Sequence, residues 1–300
     1  MKYWYGLLLL VIAIGGIVAW WLKKPEAEDA RFRVVTTFHP LTLLTKPIVG
    51  NLARVDQIIP SGQEVHNYQP TPANLAELKA ADLLIINGAN LETEWLESLL
   101  ESVERSDLPI LELESVLSQS IQLLEGEEEG VVGTDPHLWV SPKNATLIAT
   151  AILEALSDND PNHAINYQEN ADQLLAQLKS LDQEITQAVA QFSQKKFIAF
   201  HSAFQYFARD YGLEQVAVIE ATPGETPTPG TIAEIRSIVE SNQLKGLFTE
   251  PQFSPALVEQ LAQDLGIKIA ELDPLETGNE NESYVEGMRR NLASLKSILH

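Results

Sequence analysis

Between Asn162 and Phe192 the chain has no Gly or Pro, and Leu174, Leu178, Leu181, Ile185, Val189 and Phe192 recur along it. Steps of three and four place these residues on one face of an α-helix. Asp160 followed by Pro161 predicts the start: an Asp side chain accepts the first free N–H groups, and Pro suits the first helical position. At 1.5 Å per residue the helix is about 45 Å long, a stiff strut that can run the height of a small domain. The flanks have a different grammar. Phe32 to Phe38 reads as a buried strand stopped by His39 and Pro40, followed by a helix to about Val49, a strand Val55 to Ile59, a helix Ala73 to Ala80, a strand Asp82 to Asn87 and a short strand Ile110 to Leu113. Ala145 to Ala155 is helical. Strands separated by helices in this rhythm predict parallel βαβ units.

The rhythm returns after the strut. Lys196 to Phe200, Gln215 to Ile219, Lys245 to Thr249 and Ile267 to Leu272 read as strands, with helices over Ser202 to Tyr211, Ile232 to Val239 and Glu282 to Leu299. FHPL around His39 parallels FHSAF around His201, and PSGQ…PTPANLAEL parallels TPGETPTPGTIAEI. A degenerate internal duplication follows. The expectation is an α/β protein of two lobes, each a mostly parallel sheet flanked by helices, joined by one long rigid helix. Its parts are an N-terminal segment and linker over 1–30, a lobe over 31–160, the connecting helix over 161–192 and a second lobe over 193–300.

Composition narrows the function. The formal charge of -22 argues against a phosphate-binding surface, so no nucleic-acid partner is expected, and it is compatible with a protein that attracts cations in general. The acidic run EGEEEG within Ile121 to Gly133 reads as a solvated loop. There are no cysteines, so disulfides, thiolate metal sites and cysteine nucleophiles are excluded. Tyr3 to Leu22 is uncharged and mostly aliphatic, with Trp20, Trp21, Lys23 and Lys24 at its end. That predicts a membrane-crossing anchor in preference to a cleaved signal.

In open parallel sheets ligands bind beyond the carboxyl ends of the strands. His66 lies in a loop after a strand, His137 in DPHLW just before a helix, and His201, Glu250 and Asp273 each end a strand. A single loop histidine is usually a hydrogen-bonded structural residue, and a carboxylate ending a strand is often a helix cap. Three of the six histidines beside Pro-rich, rigid sequence shift the balance towards a site prepared for a metal ion. His39 also ends a strand and mirrors His201, but the apolar residues around it favour packing. Imidazoles with one carboxylate suit zinc and later transition metals better than manganese. The histidines are spread across both flanks of the strut, whereas catalytic zinc sites usually take two ligands from one short motif. An ion held between two halves can be released when they shift.

EVHNYQPTP, DPHLWVSPKNA, FIAFHSAFQYFARDYGL and FTEPQFSP…ELDPL occur in that order. Together they resemble the metal-binding solute-binding proteins of ABC transporters, the zinc and manganese group known as cluster A-I, over about Arg31 to His300. The resemblance implies two α/β lobes joined by a long helix, metal ligands at His66, His137, His201 and Asp273, and Glu250 as a nearby carboxylate that orients a ligand. In that group the third ligand is His in zinc-type and Glu in manganese-type members, so His201 leans towards Zn2+, with Mn2+ second. Two features depart from it: EGEEEG stands where many zinc-type members carry a His-rich loop, and no N-terminal cysteine is present for a lipid anchor. The implied function is a monomeric, non-enzymatic receptor on the periplasmic or extracellular face, tethered by residues 3–22 unless cleaved. It would deliver the ion to an ABC permease and its ATPase, with affinity falling as the histidines protonate below about pH 6. The rival readings are a zinc-dependent hydrolase and a metal-stabilised adhesin.

Overall fold

Val34, Val35 and Thr36 are wholly enclosed in strand β1 (Phe32–Thr36), the centre of a four-stranded parallel sheet ordered β2-β1-β3-β4. The computed structural model describes residues 30–63, 65, 68–128, 131–220, 227–252, 256–278 and 282–300. In chain order the first half holds β1, α1 (His39–Val49), β2 (Ala53–Gln57), α2 (Pro72–Lys79), β3 (Leu83–Ile86), α3 (Thr93–Val103), β4 (Ile110–Glu112) and α4 (Leu113–Leu117). Val34 sits opposite Val55 on one side and Leu83 on the other. A strand covered on both faces needs this continuous apolar run.

The acidic segment expected as a loop contains an antiparallel pair, β5 (Glu125–Glu128) with β6 (Val131–Thr134). Composition said solvated, and Glu125 and Val132 are indeed exposed. The pairing is a backbone property that a charge count does not report. A 3₁₀ turn at Leu138–Val140 then leads into α5 (Pro142–Asn159).

The long helix is α6 (Ala164–Ala190), preceded by a 3₁₀ turn Pro161–His163. Its 27 residues span about 40 Å. Leu174, Leu178, Leu181, Ile185 and Val189 are all buried, as their spacing predicts. Asp160 does not cap it through a free N–H. Its carboxylate instead accepts the Tyr167 hydroxyl at 2.6 Å and hydrogen-bonds the His163 ring at 2.7 Å.

The second half holds β7 (Lys196–Ala199), α7 (Gln205–Tyr211), β8 (Glu214–Val218), α8 (Pro229–Asn242), β9 (Gly246–Thr249), α9 (Ala256–Leu265), β10 (Lys268–Glu271) and α10 (Tyr284–Leu299). β7 pairs with β8 and β9 with β10, all parallel, and β7 lies against β9. The α7 helix starts only at Gln205, because His201 to Phe204 form the turn leading out of the strand. Helices α3, α4 and α9 lie in stretches where no helix was predicted.

One apolar core runs from β1 and α1 through α5 and α6 to α7 and α10, and a smaller one lies between β7, β9, α8 and α9. Residues 32–300 therefore form one compact unit. Among the described residues no helix is long and apolar enough to cross a membrane. The anchor expected at 3–22 lies outside the described residues.

Candidate metal centre

His137 is delivered by the segment between β6 and α5. Asn87, just past β3, donates from its side chain to the Pro136 carbonyl at 2.9 Å and fixes that segment to the first sheet. From the other half, the Tyr206 hydroxyl donates to the Asp135 carbonyl at 3.1 Å. His201 stands two residues past β7, and Glu250 directly past β9. The neighbouring strands thus bring Glu250 to His201 although 49 positions separate them.

The two imidazoles are held by the same device. The Asp135 carboxylate oxygen Oδ1 accepts the backbone N–H of His137 at 3.0 Å and its ring Nδ1 at 2.8 Å. Glu250 Oε1 accepts the backbone N–H of His201 at 3.1 Å and its ring Nδ1 at 2.7 Å. A carboxylate on Nδ1 keeps the hydrogen there and leaves Nε2 with its lone pair for a ligand. Those two Nε2 atoms face each other at 3.2 Å. Glu276 Oε1 completes a triangle, 3.3 Å from His137 Nε2 and 3.5 Å from His201 Nε2. All three residues are buried. Three electron-pair donors turned on one point need a cation or a proton between them. In a tetrahedral zinc site with bonds of 2.0–2.1 Å, neighbouring donors stand about 3.3 Å apart, which is the spacing seen.

The electrostatics favour a cation. Burial alone would push the His137 imidazole down, but hydrogen bonds to Asp135 and Glu276 outweigh it and hold the ring at about 10. For His201 burial is likewise outweighed, by the charges of Glu250 and Glu276, which hold it well above the ordinary imidazole value. Burial pushes the Glu250 carboxyl up. Carboxylates that retain a proton on these rings attract a metal ion to the same atoms for the same reason.

His137 and His201 are brought together as a pair, and Glu250 stands behind His201 as an orienting acceptor. His66 lies outside the described residues. Asp273 is buried but does not join the group formed by His137, His201 and Glu276, the one group of potential metal ligands among the described residues. Its carboxylate meets Arg290 at 2.6 Å and the Leu275 N–H at 2.7 Å instead. His39 is the first residue of α1 and packs against Gly278, where an added Cβ would come within 1.9 Å of its ring. Glu276 lies five residues past β10 on an irregular turn, away from the strand ends where the sheet rule places ligands. The only signal was its position directly after ELDPL. Asp135 is likewise outside the expected set, although it stands two residues before His137.

A family model described as zinc-uptake complex component A, periplasmic (ZnuA), matches residues 34–298. The zinc-binding lipoprotein AdcA of Streptococcus pneumoniae is 32% identical over 91% of this chain, which spans 57% of that protein's length. The high-affinity zinc uptake system protein ZnuA of Bacillus subtilis is 30% identical, over 99% of this chain and 98% of its own. Among solved structures, the laminin-binding protein Lmb of Streptococcus agalactiae, described as bifunctional with adhesin and metal-transporting activity, superposes with a TM-score of 0.78. It is 30% identical, over 90% of this chain and all of its own.

Proposed function

The chain belongs to the ZnuA family of periplasmic zinc-uptake components, and from that premise we propose that it captures Zn2+ between its two halves outside the cytoplasm and passes it to an ABC permease. His137 Nε2, His201 Nε2 and Glu276 Oε1 bind the ion, with His66 as the fourth donor and Asp273 outside the coordination shell. Asp135 and Glu250 orient the two rings. The observation that carries this reading is the triangle of three buried donor atoms with edges of 3.2, 3.3 and 3.5 Å.

Two imidazoles with one carboxylate select a borderline ion over a hard one, so Zn2+ ranks above Mn2+. Four protein ligands would close the position that an activated water needs, which disfavours a hydrolase. Protons compete with the ion for the same nitrogen atoms. The Asp135 and Glu276 carboxylates that hold the His137 ring above its ordinary value strengthen the proton in that competition and extend it upwards in pH.

Isothermal titration of the chain with zinc tests the reading. Wild type binds one ion, and His201→Ala weakens binding by at least about a hundredfold, since one of four bonds is lost. A His201→Ala variant that binds as tightly as wild type overturns it. Membrane tethering, the ATPase and a monomeric state belong to the same proposal, and cross-linking in the native membrane tests the permease contact.

A further inference from the structure

The turn that carries Glu276 is held at almost every residue, and from both halves. Asp273 donates its backbone N–H to Asn291 Oδ1 at 2.8 Å and accepts from Asn291 Nδ2 at 2.6 Å, which pins the start of the turn to α10. The Pro274 carbonyl accepts the Trp139 indole N–H at 2.7 Å, from the first half. Leu275 adopts a left-handed backbone with φ of 68°, which a branched side chain enters only when its surroundings impose it. Its side chain is locked against α10, where an added Cβ at Gly287 would come within 2.5 Å of it. The Gly62 N–H donates to the Thr277 carbonyl, and Gly278 lies against the His39 ring.

Asp273 is hydrogen-bonded directly to Leu275. One carboxylate oxygen accepts the Leu275 N–H at 2.7 Å, closing a side-chain turn, and the other meets Arg290 Nη2 at 2.6 Å. Arg290 in turn is held by Glu282. Both oxygens are thus engaged away from the group formed by His137, His201 and Glu276. Glu276 follows Leu275 directly, so the left-handed residue decides where the Glu276 side chain starts.

We propose that Asp273, held by Arg290, is a positioning residue for zinc binding: it fixes the left-handed Leu275 and so aims Glu276 at His137 and His201, without itself donating to the ion. This rests on the reading of those three residues as the zinc site. The arrangement explains how a flexible Glu side chain on an irregular turn can act as a preformed ligand. Its ordering is completed by the fold before the ion arrives.

The test measures zinc affinity of the full chain by competition with a chromophoric chelator, together with the visible spectrum of the cobalt(II)-loaded protein. Asp273→Ala is expected to weaken zinc about 10–100-fold and to shift the cobalt spectrum towards that of Glu276→Gln. Asp273→Asn keeps an acceptor for the Leu275 N–H and is expected to lose markedly less. In a Glu276→Gln background, Asp273→Ala should cause no further loss, because it acts through the missing carboxylate. Should Asp273→Ala not fold, Arg290→Met replaces it: a loss that vanishes in the Glu276→Gln background supports the proposal, and an additive loss overturns it. Asp273→Ala at wild-type affinity overturns it. So does Asp273→Asn losing as much as Asp273→Ala while Glu276→Gln binds like wild type, which would make Asp273 the donor. His201→Ala at wild-type affinity overturns the zinc-site reading itself, and so is told apart from failure of the positioning role alone.

Discussion

Each imidazole of the centre has one nitrogen committed to a carboxylate and one turned to its counterpart, so the chemistry is set by the groups behind the rings as much as by the rings. Removing the acceptor behind His201 lets the ring rotate and exchange tautomers. Glu250→Ala is expected to weaken zinc about 10–100-fold with the fold intact, read by competition titration and circular dichroism. Glu92 is a further buried acid, at the ends of the first sheet's strands. Glu92 accepts the Thr37 hydroxyl at 2.7 Å, the Asn87 N–H at 2.8 Å and the Gly88 N–H at 3.1 Å, so it ties the ends of β1 and β3 together. Burial outweighs these bonds and pushes its carboxyl from 4.5 up to about 7. The folded state therefore holds this proton more tightly than the unfolded chain does. Its contribution to stability is full below about pH 4.5 and is lost as pH rises through about 7, on the order of 3 kcal/mol. Glu92→Gln carries no such proton. Urea unfolding at pH 5 and pH 7.5 should show the variant gaining on wild type by up to that amount at the higher pH.

At the scale of elements, the long helix is the part that no neighbour can replace. Its buried stripe packs against α1, α5, α7 and α10, so elements from both halves share one apolar seam along it. Leu178 is fully enclosed there. Leu178→Ala leaves a cavity in that seam and is expected to cost about 2–5 kcal/mol in urea unfolding. The strand ends show how the sheet rule acts. β7 and β9 lie side by side, and the residues just past them, His201 and Glu250, meet at 2.7 Å. In the first half Asn87, past β3, steadies the segment that brings in His137. Parallel strands deliver their following residues to one edge, so a histidine and its orienting group can come from distant positions.

Across the whole molecule the centre is assembled from His137 on one side of α6 and from His201 and Glu276 on the other. The halves also meet at Trp139 with Pro274, at Tyr284 with the Trp139 carbonyl at 2.7 Å, and at Tyr206 with Asp135. These contacts do not involve the ion, and the core beneath them is continuous. The protein should therefore stay folded when zinc is removed by a chelator. At zinc a hundred times the dissociation constant the folded state gains about 2.7 kcal/mol, which raises the melting temperature by about 5–10 °C. Scanning calorimetry with and without chelator reads this shift. Loss of the far-ultraviolet helix signal on chelation would instead favour an ion with a structural role, as in the adhesin reading.

The sequence by itself determined the local facts: the α6 stripe from Leu174 to Val189, the strands of both halves, and His137 and His201 as residues that follow strands or precede helices. These depend on periodicity and on turn chemistry within a few residues, and both are written in neighbouring positions. The α5 and α7 boundaries, the β5–β6 pair and the five-residue α4 were less legible, since their patterns are short or polar, whereas α3 carries a legible apolar stripe of Leu96, Leu99 and Val103. Which carboxylate faces the imidazoles was decided only by the tertiary structure. Asp273 and Glu276 are three residues apart and chemically alike. What separates them is Arg290 drawing one away, and Leu275 in a left-handed conformation turning the other inwards. Both effects depend on α10 packing behind the turn, a contact between segments whose proximity the order of residues does not state.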